Sequence, residues 1–262
     1  MKGPGPRLPR VRFKRMHSFL TEPPRGGLVR LSQEDAHHIL KSLRMQPGDH
    51  VSVAFDGSRH EAALEMSEKG VYARLLQELP SGEPRVRVTL YQGLPKGDRM
   101  DFIVQKCTEL GVHRIVPCLF SRGVARWEGG QNKLTRWRRI AREAAVQCGR
   151  SLVPEVSDCI SFEALCRALP EHEQALVPWE EGGLPLRQAN PQGQDVALVI
   201  GPEGGISPEE VQALQAQPVT LGPRILRTET AGMAALTLMR RVRPLVSPAA
   251  LTMLLALSGD ME

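Results

Sequence analysis

The sequence predicts an α/β protein with a parallel sheet, preceded by a small, mostly β unit. Three observations predict it. Residues 196–200 (VALVI) are a short continuous apolar run, the pattern of a strand buried on both faces. They run into Gly201-Pro202-Glu203-Gly204-Gly205, and Ser207, Pro208 and Glu210 then spell an N-cap, a first-turn proline and a capping box. Residues 219–221 (VTL) repeat the plan: a strand, then Gly222-Pro223, then a loop, then a helix with Thr228 as its cap and a small-residue face of Ala231, Ala234, Ala235 and Leu238. Two glycine-marked loops, each closing a strand and preceding a helix, place one shared site at the carboxyl edge of a sheet.

The remaining elements follow from pattern. Residues 1–15 are rich in Pro, Gly and Arg and read as a disordered basic leader. Residues 32–43 predict a helix capped by Ser32, with Ala36, Ile39, Leu40 and Leu43 as its apolar stripe. Residues 51–55 alternate as a strand, Asp56-Gly57 is a hairpin signal, and 62–66 and 71–76 are further strands. Pro80-Ser81-Gly82-Glu83-Pro84 has linker composition, so 16–84 and 85–262 are predicted as separate domains. In the second domain, strands at 86–91, 115–120 and 175–178 alternate with helices at 97–110, 133–148 and 162–169. Residues 182–194 read as a polar loop.

Composition narrows the classes. A chain of 262 residues with 41% hydrophobic and 24% charged residues is long enough for a sizeable core. The formal net charge of +5 favours an anionic partner. Basic residues cluster in the leader and again at Arg126, Lys133, Arg136, Arg138, Arg139 and Arg142, around Trp127 and Trp137. A solvated face explains either cluster taken alone; together with the glycine loops they favour RNA phosphates. The five cysteines form no CxxC pair, which argues against zinc and disulfides and fits a reducing cytoplasm. Adjacent His37 and His38 point to different faces of a helix, so no metal site is expected. The basic start has no apolar stretch behind it, and the apolar run 251–257 is too short to span a bilayer. The glycine loop lacks both the Lys-Ser/Thr of a P-loop and GxGxxG, which sets aside a nucleotide-phosphate enzyme.

GPEGGIS at 201–207 followed by LGPRILRTETA at 221–231 resembles the signature of the RsmE family, methyltransferases of the SPOUT superfamily. KGDRMDFIVQKCTELGV at 96–112 and QCGR at 147–150 match as well, and HHILKSLRMQPGD and FDGS resemble the family's N-terminal domain. The likeness runs from about Met16 to Arg243, so the leader reads either as an extension ahead of the family's usual start or as the product of a misplaced start codon. It implies a SPOUT-type sheet with a C-terminal trefoil knot, a PUA-like RNA-binding barrel before it, and a homodimer. It implies transfer of the methyl of S-adenosylmethionine to N3 of a uridine in 16S ribosomal RNA. The small-residue helix and the apolar tail 251–257 are candidate dimer surfaces.

Carried over residue by residue, the likeness assigns the cofactor to Ile200, Gly201, Gly205, Leu221, Gly222, Ile225, Leu226 and Thr230. Uridine N3 must lose a proton, which calls for a base or a charge-stabilising group. Glu203 and Glu229 are the candidate carboxylates, and Arg122 and Arg227 the candidate stabilisers of charge on the uracil oxygens. A helix-terminus charge explains Glu229 equally well. Arg122 is flanked by Ser121 and Gly123, where the family carries an acid and a serine. Arg44, Lys96, Arg126, Arg136, Arg138 and Arg139 are the candidate RNA contacts. Two other readings stay open: action on another RNA such as tRNA, and a non-catalytic assembly factor that keeps the fold.

Overall fold

The computed structural model describes residues 16–128, 130–189 and 194–239. The leader 1–15, the tail 251–257 and the expected last residues of the final helix, 240–241, lie outside them. The chain divides into two units between Ser81 and Gly82.

The first unit is a five-stranded sheet. In chain order it has β1 (Ser18–Leu20), β2 (Leu28–Arg30), α1 (Gln33–His37), β3 (His50–Phe55), β4 (Ser58–Ser67) and β5 (Gly70–Leu79). The strands lie in the order β1-β3-β4-β5-β2. Asp56 and Gly57 both have positive φ, 48° and 77°, the pair that a two-residue hairpin turn needs between right-twisted strands. Ser32 caps α1 by accepting the Asp35 N–H. The helix then differs from expectation: it ends at His37 and continues as a π-helical turn, His38–Leu43. That wider turn alters the 3.6-residue phase, so Ile39 is fully buried while Leu40 is 45% exposed. β4 and β5 are longer than their apolar cores suggest, because cross-strand ties such as Arg74–Glu65 and Gln77–Glu61 extend the pairing through polar residues.

The second unit is built on a seven-stranded sheet with every strand pair parallel. Its elements are β6 (Arg87–Gly93), α2 (Arg99–Glu109), β7 (Arg114–Cys118), α3 (Gly130–Cys148), β8 (Glu155–Val156), α4 (Phe162–Ala168), β9 (Gln174–Pro178), β10 (Leu184–Pro185), α5 (Leu186–Ala189), β11 (Asp195–Ile200), α6 (Pro208–Leu214), β12 (Gln217–Thr220) and α7 (Thr228–Met239). The strand order is β10-β12-β9-β11-β6-β7-β8. The chain builds outward from β6 through β7 to β8, returns to β9, and later inserts β11 between β9 and β6. The reversal leaves a crevice at the carboxyl end of β11, where a parallel sheet admits a ligand.

β11 is buried on both faces, as its unbroken apolar run requires. Val196, Leu198 and Ile200 join the core with Leu90, Ile103, Leu134 and Leu236, and Ala197 and Val199 join the other face with Val116, Leu165 and Leu214. The stretch 182–194, expected to be a polar loop, instead carries β10 and α5. Leu186 is its anchor, buried to 2% exposure. α3 begins a turn earlier than expected, because Gly130 leaves room for the Trp127 ring: an added Cβ would lie 2.8 Å from it. Trp127 and Trp137 pack with ring centroids 5.6 Å apart, and Trp137 is buried with its Nε1 donating to Asp101 Oδ1 at 3.0 Å. The tryptophans of the basic cluster therefore serve the core.

Candidate active site

Residues 201–206 leave β11 as a tight turn closed by Gly205 N–H donating to Pro202 O at 3.0 Å. α6 follows, and its capping box is complete: Glu210 N–H donates to Ser207 Oγ at 3.2 Å and Ser207 N–H donates to Glu210 Oε2 at 3.0 Å. The glycines are required by neighbours. A Cβ on Gly204 would lie 2.6 Å from Arg122 O, and one on Gly201 would lie 2.6 Å from Ile206 Cγ1. Gly205 has a φ of +73° and faces Glu180. A side chain on Gly201 would therefore meet Ile206 in the core.

The second loop, 221–227, leaves β12 and enters α7. The two loops together wall a cleft of about 500 Å³, within the range of small-molecule sites. Ile200, Gly201, Gly205, Ile225 and Leu226 line it, as do Glu203, Arg227 and Glu229. Leu221, Gly222 and Thr230 do not line it, although each is at least partly exposed nearby in the chain. Arg122 is exposed on the turn after β7, with its backbone against Gly204. Arg99, Glu180 and Thr228 also line the cleft and were not singled out as site residues. Arg99 sits in the Lys96–Val112 block, and Glu180 follows the end of β9, the edge where sites gather.

The two candidate carboxylates differ in chemistry. Glu203 Oε1 accepts the Lys96 N–H at 3.0 Å and is paired with the Arg99 guanidinium. Burial pushes its acidity towards the neutral form, but these bonds and its own N–H outweigh burial and hold the carboxyl below the usual range. Glu203 is thus a weak base with a structural tie. Glu229 Oε2 is buried with no hydrogen-bond partner among the described residues, and its other oxygen lies 4.0 Å from Arg227 Nη1.

Thr228 corrects one expectation. It does not cap α7 with its side chain. Its hydroxyl donates to Gly201 O at 2.6 Å and accepts from Gln92 Nε2 at 2.8 Å, while Arg227 O receives the first helical N–H groups, from Thr230 and Ala231, each at 2.9 Å. The hydroxyl is turned towards Gly201 and Gln92, and the helix terminus is served by the Arg227 carbonyl.

The candidate RNA contacts are uneven. Arg136 pairs with Asp101, Arg138 Nε donates to Val156 O at 3.0 Å, and Arg139 lies 3.6 Å from Glu143. Arg138 therefore fastens α3 to β8. Arg126 is exposed, Lys96 is exposed beside the cleft, and Arg44 follows the π-helical turn with a φ of 52°. Among the described residues no group of three or more His, Cys, Asp or Glu could hold a metal, and no helix is long and apolar enough to cross a membrane.

Comparison with known proteins agrees with this architecture. The family model described as an RNA methyltransferase domain matches residues 82–240, and that of an RNA methyltransferase PUA domain matches 31–76. The ribosomal RNA small subunit methyltransferase E of Bacillus subtilis is 35% identical over 223 residues, covering 79% of this chain and 87% of that protein. The enzyme of the same name from Neisseria gonorrhoeae, solved bound to S-adenosylmethionine, is 34% identical with a TM-score of 0.73, covering 86% of this chain and 97% of that one. A Legionella pneumophila methyltransferase solved with its cofactor S-adenosylmethionine is 32% identical with a TM-score of 0.72 over the same shares. The sheet is of the SPOUT type and the first unit is PUA-like. On its fold, its paired glycine loops and these relatives, the chain belongs to the ribosomal RNA small subunit methyltransferase E family.

Proposed function

We propose that this protein transfers the methyl of S-adenosylmethionine to N3 of a specific uridine in 16S ribosomal RNA. The observation that carries the reading is the single cleft walled by both glycine-marked loops. Its residues fit the cofactor. The turn brings backbone close enough to read an adenine edge, and the Glu180 carboxylate suits a ligand bearing positive charge. When bound, S-adenosylmethionine supplies a methyl on a sulfonium, which reacts by in-line attack with no metal and no covalent enzyme intermediate.

The chain's own part is placement and proton handling. Ile200, Gly201, Gly205, Ile225 and Leu226 hold the cofactor, with Leu221, Gly222 and Thr230 supporting the second loop. Glu229 accepts the N3 proton, because its Oε2 has no other partner and Glu203 is tied. Arg227, with its side chain 81% exposed beside Glu229, and Arg122 stabilise charge building on the uracil oxygens. Glu203 holds the Gly201 turn against the start of α2.

The RNA partner contacts each unit through its own basic residues, Arg44 on the PUA-like unit and Lys96, Arg126, Arg136 and Arg139 on the second, with Arg138 as a structural tie. A homodimer belongs to the same reading. It is supported by Ile225, 86% exposed on the second loop, and by Leu238, 36% exposed on α7. The expected trefoil knot is supported by the close passage of Gly201-Pro202 beside Gly93, where a Cβ would lie 2.4 Å from Pro202 N. Action on ribosomal RNA places the protein in the cytoplasm.

Mass-spectrometric mapping of ribosomal RNA from a strain lacking the gene tests the reading. Loss of one 3-methyluridine from 16S RNA, restored by the gene, is the expected result. Unchanged 16S RNA with a change in tRNA would instead select the other enzyme reading.

A further inference from the structure

Gln92 is fully buried near the end of β6, and its role is not that of a core side chain. Its Nε2 donates to Gly93 O at 3.0 Å and to Thr228 Oγ1 at 2.8 Å. The Thr228 hydroxyl has one hydrogen, and it goes to Gly201 O at 2.6 Å. The polarity of this chain is set at its buried end. Gly93 O can only accept, so the amide nitrogen must face it; a reversed amide would set two acceptors together. Gln92 Oε1 is left buried with no partner among the described residues, facing Gly232, where an added Cβ would lie 3.7 Å away. An unmatched amide oxygen in a core is unfavourable, and an apolar side chain of the same size would avoid it. The amide is kept where its nitrogen joins three segments: the end of β6, the turn after β11 and the start of α7.

We propose that Gln92 is a positioning residue for the cofactor cleft, acting through the Thr228 hydroxyl to hold the Gly201 turn and the first turn of α7 as one wall. The proposal rests on the reading that S-adenosylmethionine binds between the two loops. Gln92 touches no ligand; it fixes which way Thr228 donates, and so fixes the Gly201 carbonyl and the backbone on either side of it.

The test uses the full chain with Gln92→Met, which keeps the volume, Thr228→Val, which removes only the hydroxyl, Thr228→Ser, which restores it, and the Gln92→Met/Thr228→Val double variant. Three readouts are used: S-adenosylmethionine affinity by calorimetry, amide hydrogen exchange of 201–206 and 222–228 without ligand, and the KM values for S-adenosylmethionine and RNA. Each single variant is expected to weaken binding about tenfold, the scale of one lost buried hydrogen bond, and to speed exchange in both loops. The double variant should be no weaker than either single one, because both break the same chain. Thr228→Ser should match wild type, and the KM for S-adenosylmethionine should rise in Gln92→Met while that for RNA does not. Unchanged affinity in folded Gln92→Met, or losses that add in the double variant, would overturn the role. Wild-type protein that binds no S-adenosylmethionine would overturn the cofactor reading and this role with it, and the wild-type titration alone tells that failure apart.

Discussion

The backbone N–H of Lys96 donates to Glu203 Oε1 at 3.0 Å, so the loop entering α2 and the turn leaving β11 share one carboxylate. Arg99 holds the same oxygen. Because these bonds outweigh burial and lower the carboxyl's pKa, their support is complete above the ordinary carboxylate range and is lost as pH falls through the lowered value. S-adenosylmethionine affinity is therefore expected to be flat above about pH 6 and to fall in acid, while Glu203→Gln binds about threefold to tenfold more weakly and loses part of that acid dependence. Calorimetry across pH checks it; a Glu203→Gln protein with wild-type affinity would contradict it.

Glu229→Gln removes the proposed proton acceptor and keeps the shape. Single-turnover methyl transfer is expected to fall about a hundredfold or more, with S-adenosylmethionine affinity close to wild type. Arg122→Ala is expected to behave alike, keeping the cofactor and losing most transfer. Equal loss of affinity in either variant would place that residue in cofactor binding.

Gly201→Val pushes a branched side chain into Ile206, against which even a Cβ would lie 2.6 Å away. The expected result is a protein less stable by about 1–3 kcal/mol, the usual scale of overpacking, that also loses cofactor binding because the turn is displaced. Thermal melts and calorimetry read both. Loss of binding at unchanged stability would show that the side chain fills the cleft instead.

Arg150 is the tie most sensitive to change in the second unit. Its side chain is 8% exposed, its Nη2 donates to Glu83 Oε2 at 2.7 Å, and its Nη1 donates to Thr108 O at 3.0 Å and Val112 O at 2.8 Å. Arg150→Ala removes the guanidinium from Glu83 and from the Thr108 and Val112 carbonyls, while Ser151 N–H still donates to Glu83 Oε1 and Gly111 N–H to Thr108 O, each at 3.0 Å, and is expected to cost about 2–3 kcal/mol. Denaturant unfolding measures it, and a loss under about 1 kcal/mol would mean that water replaces the guanidinium freely.

The basic face of α3 divides by function. Arg139→Ala with Arg142→Ala is expected to weaken binding to single-stranded RNA and to lower the slope of affinity against salt by about 1.4, with little change in stability. Arg138→Ala should instead lower the melting temperature, because its Nε reaches Val156 O. A filter-binding salt series separates the two.

Legibility in the sequence followed the range of the forces. The capping box of Ser207 and Glu210 and the unbroken apolar run of β11 depend on residues within a few positions of each other, and both were readable. So was the Asp56-Gly57 hairpin. Thr228 was misread as a cap because its real partners, Gly201 and Gln92, lie 27 and 136 positions away. Leu186 was hidden in a polar stretch because one buried anchor leaves no period to detect. The resemblance named half of the residues that line the cleft, but spacing could not reveal that Glu203 is tied while Glu229 Oε2 stands unpartnered. That difference depends on Lys96 and Arg99, about a hundred residues upstream, a long-range pairing that local pattern does not encode.

Glu210 is buried to 7% exposure and uses both oxygens, one on Ser207 N–H and the other on Ser121 N–H at 2.8 Å. The arginine-bearing turn after β7 and the entrance to α6 are thereby yoked. An inhibitor wedged under either one must lever the other aside as well, so compounds that reach the Arg122 side should report themselves at the donor site even when they never enter it.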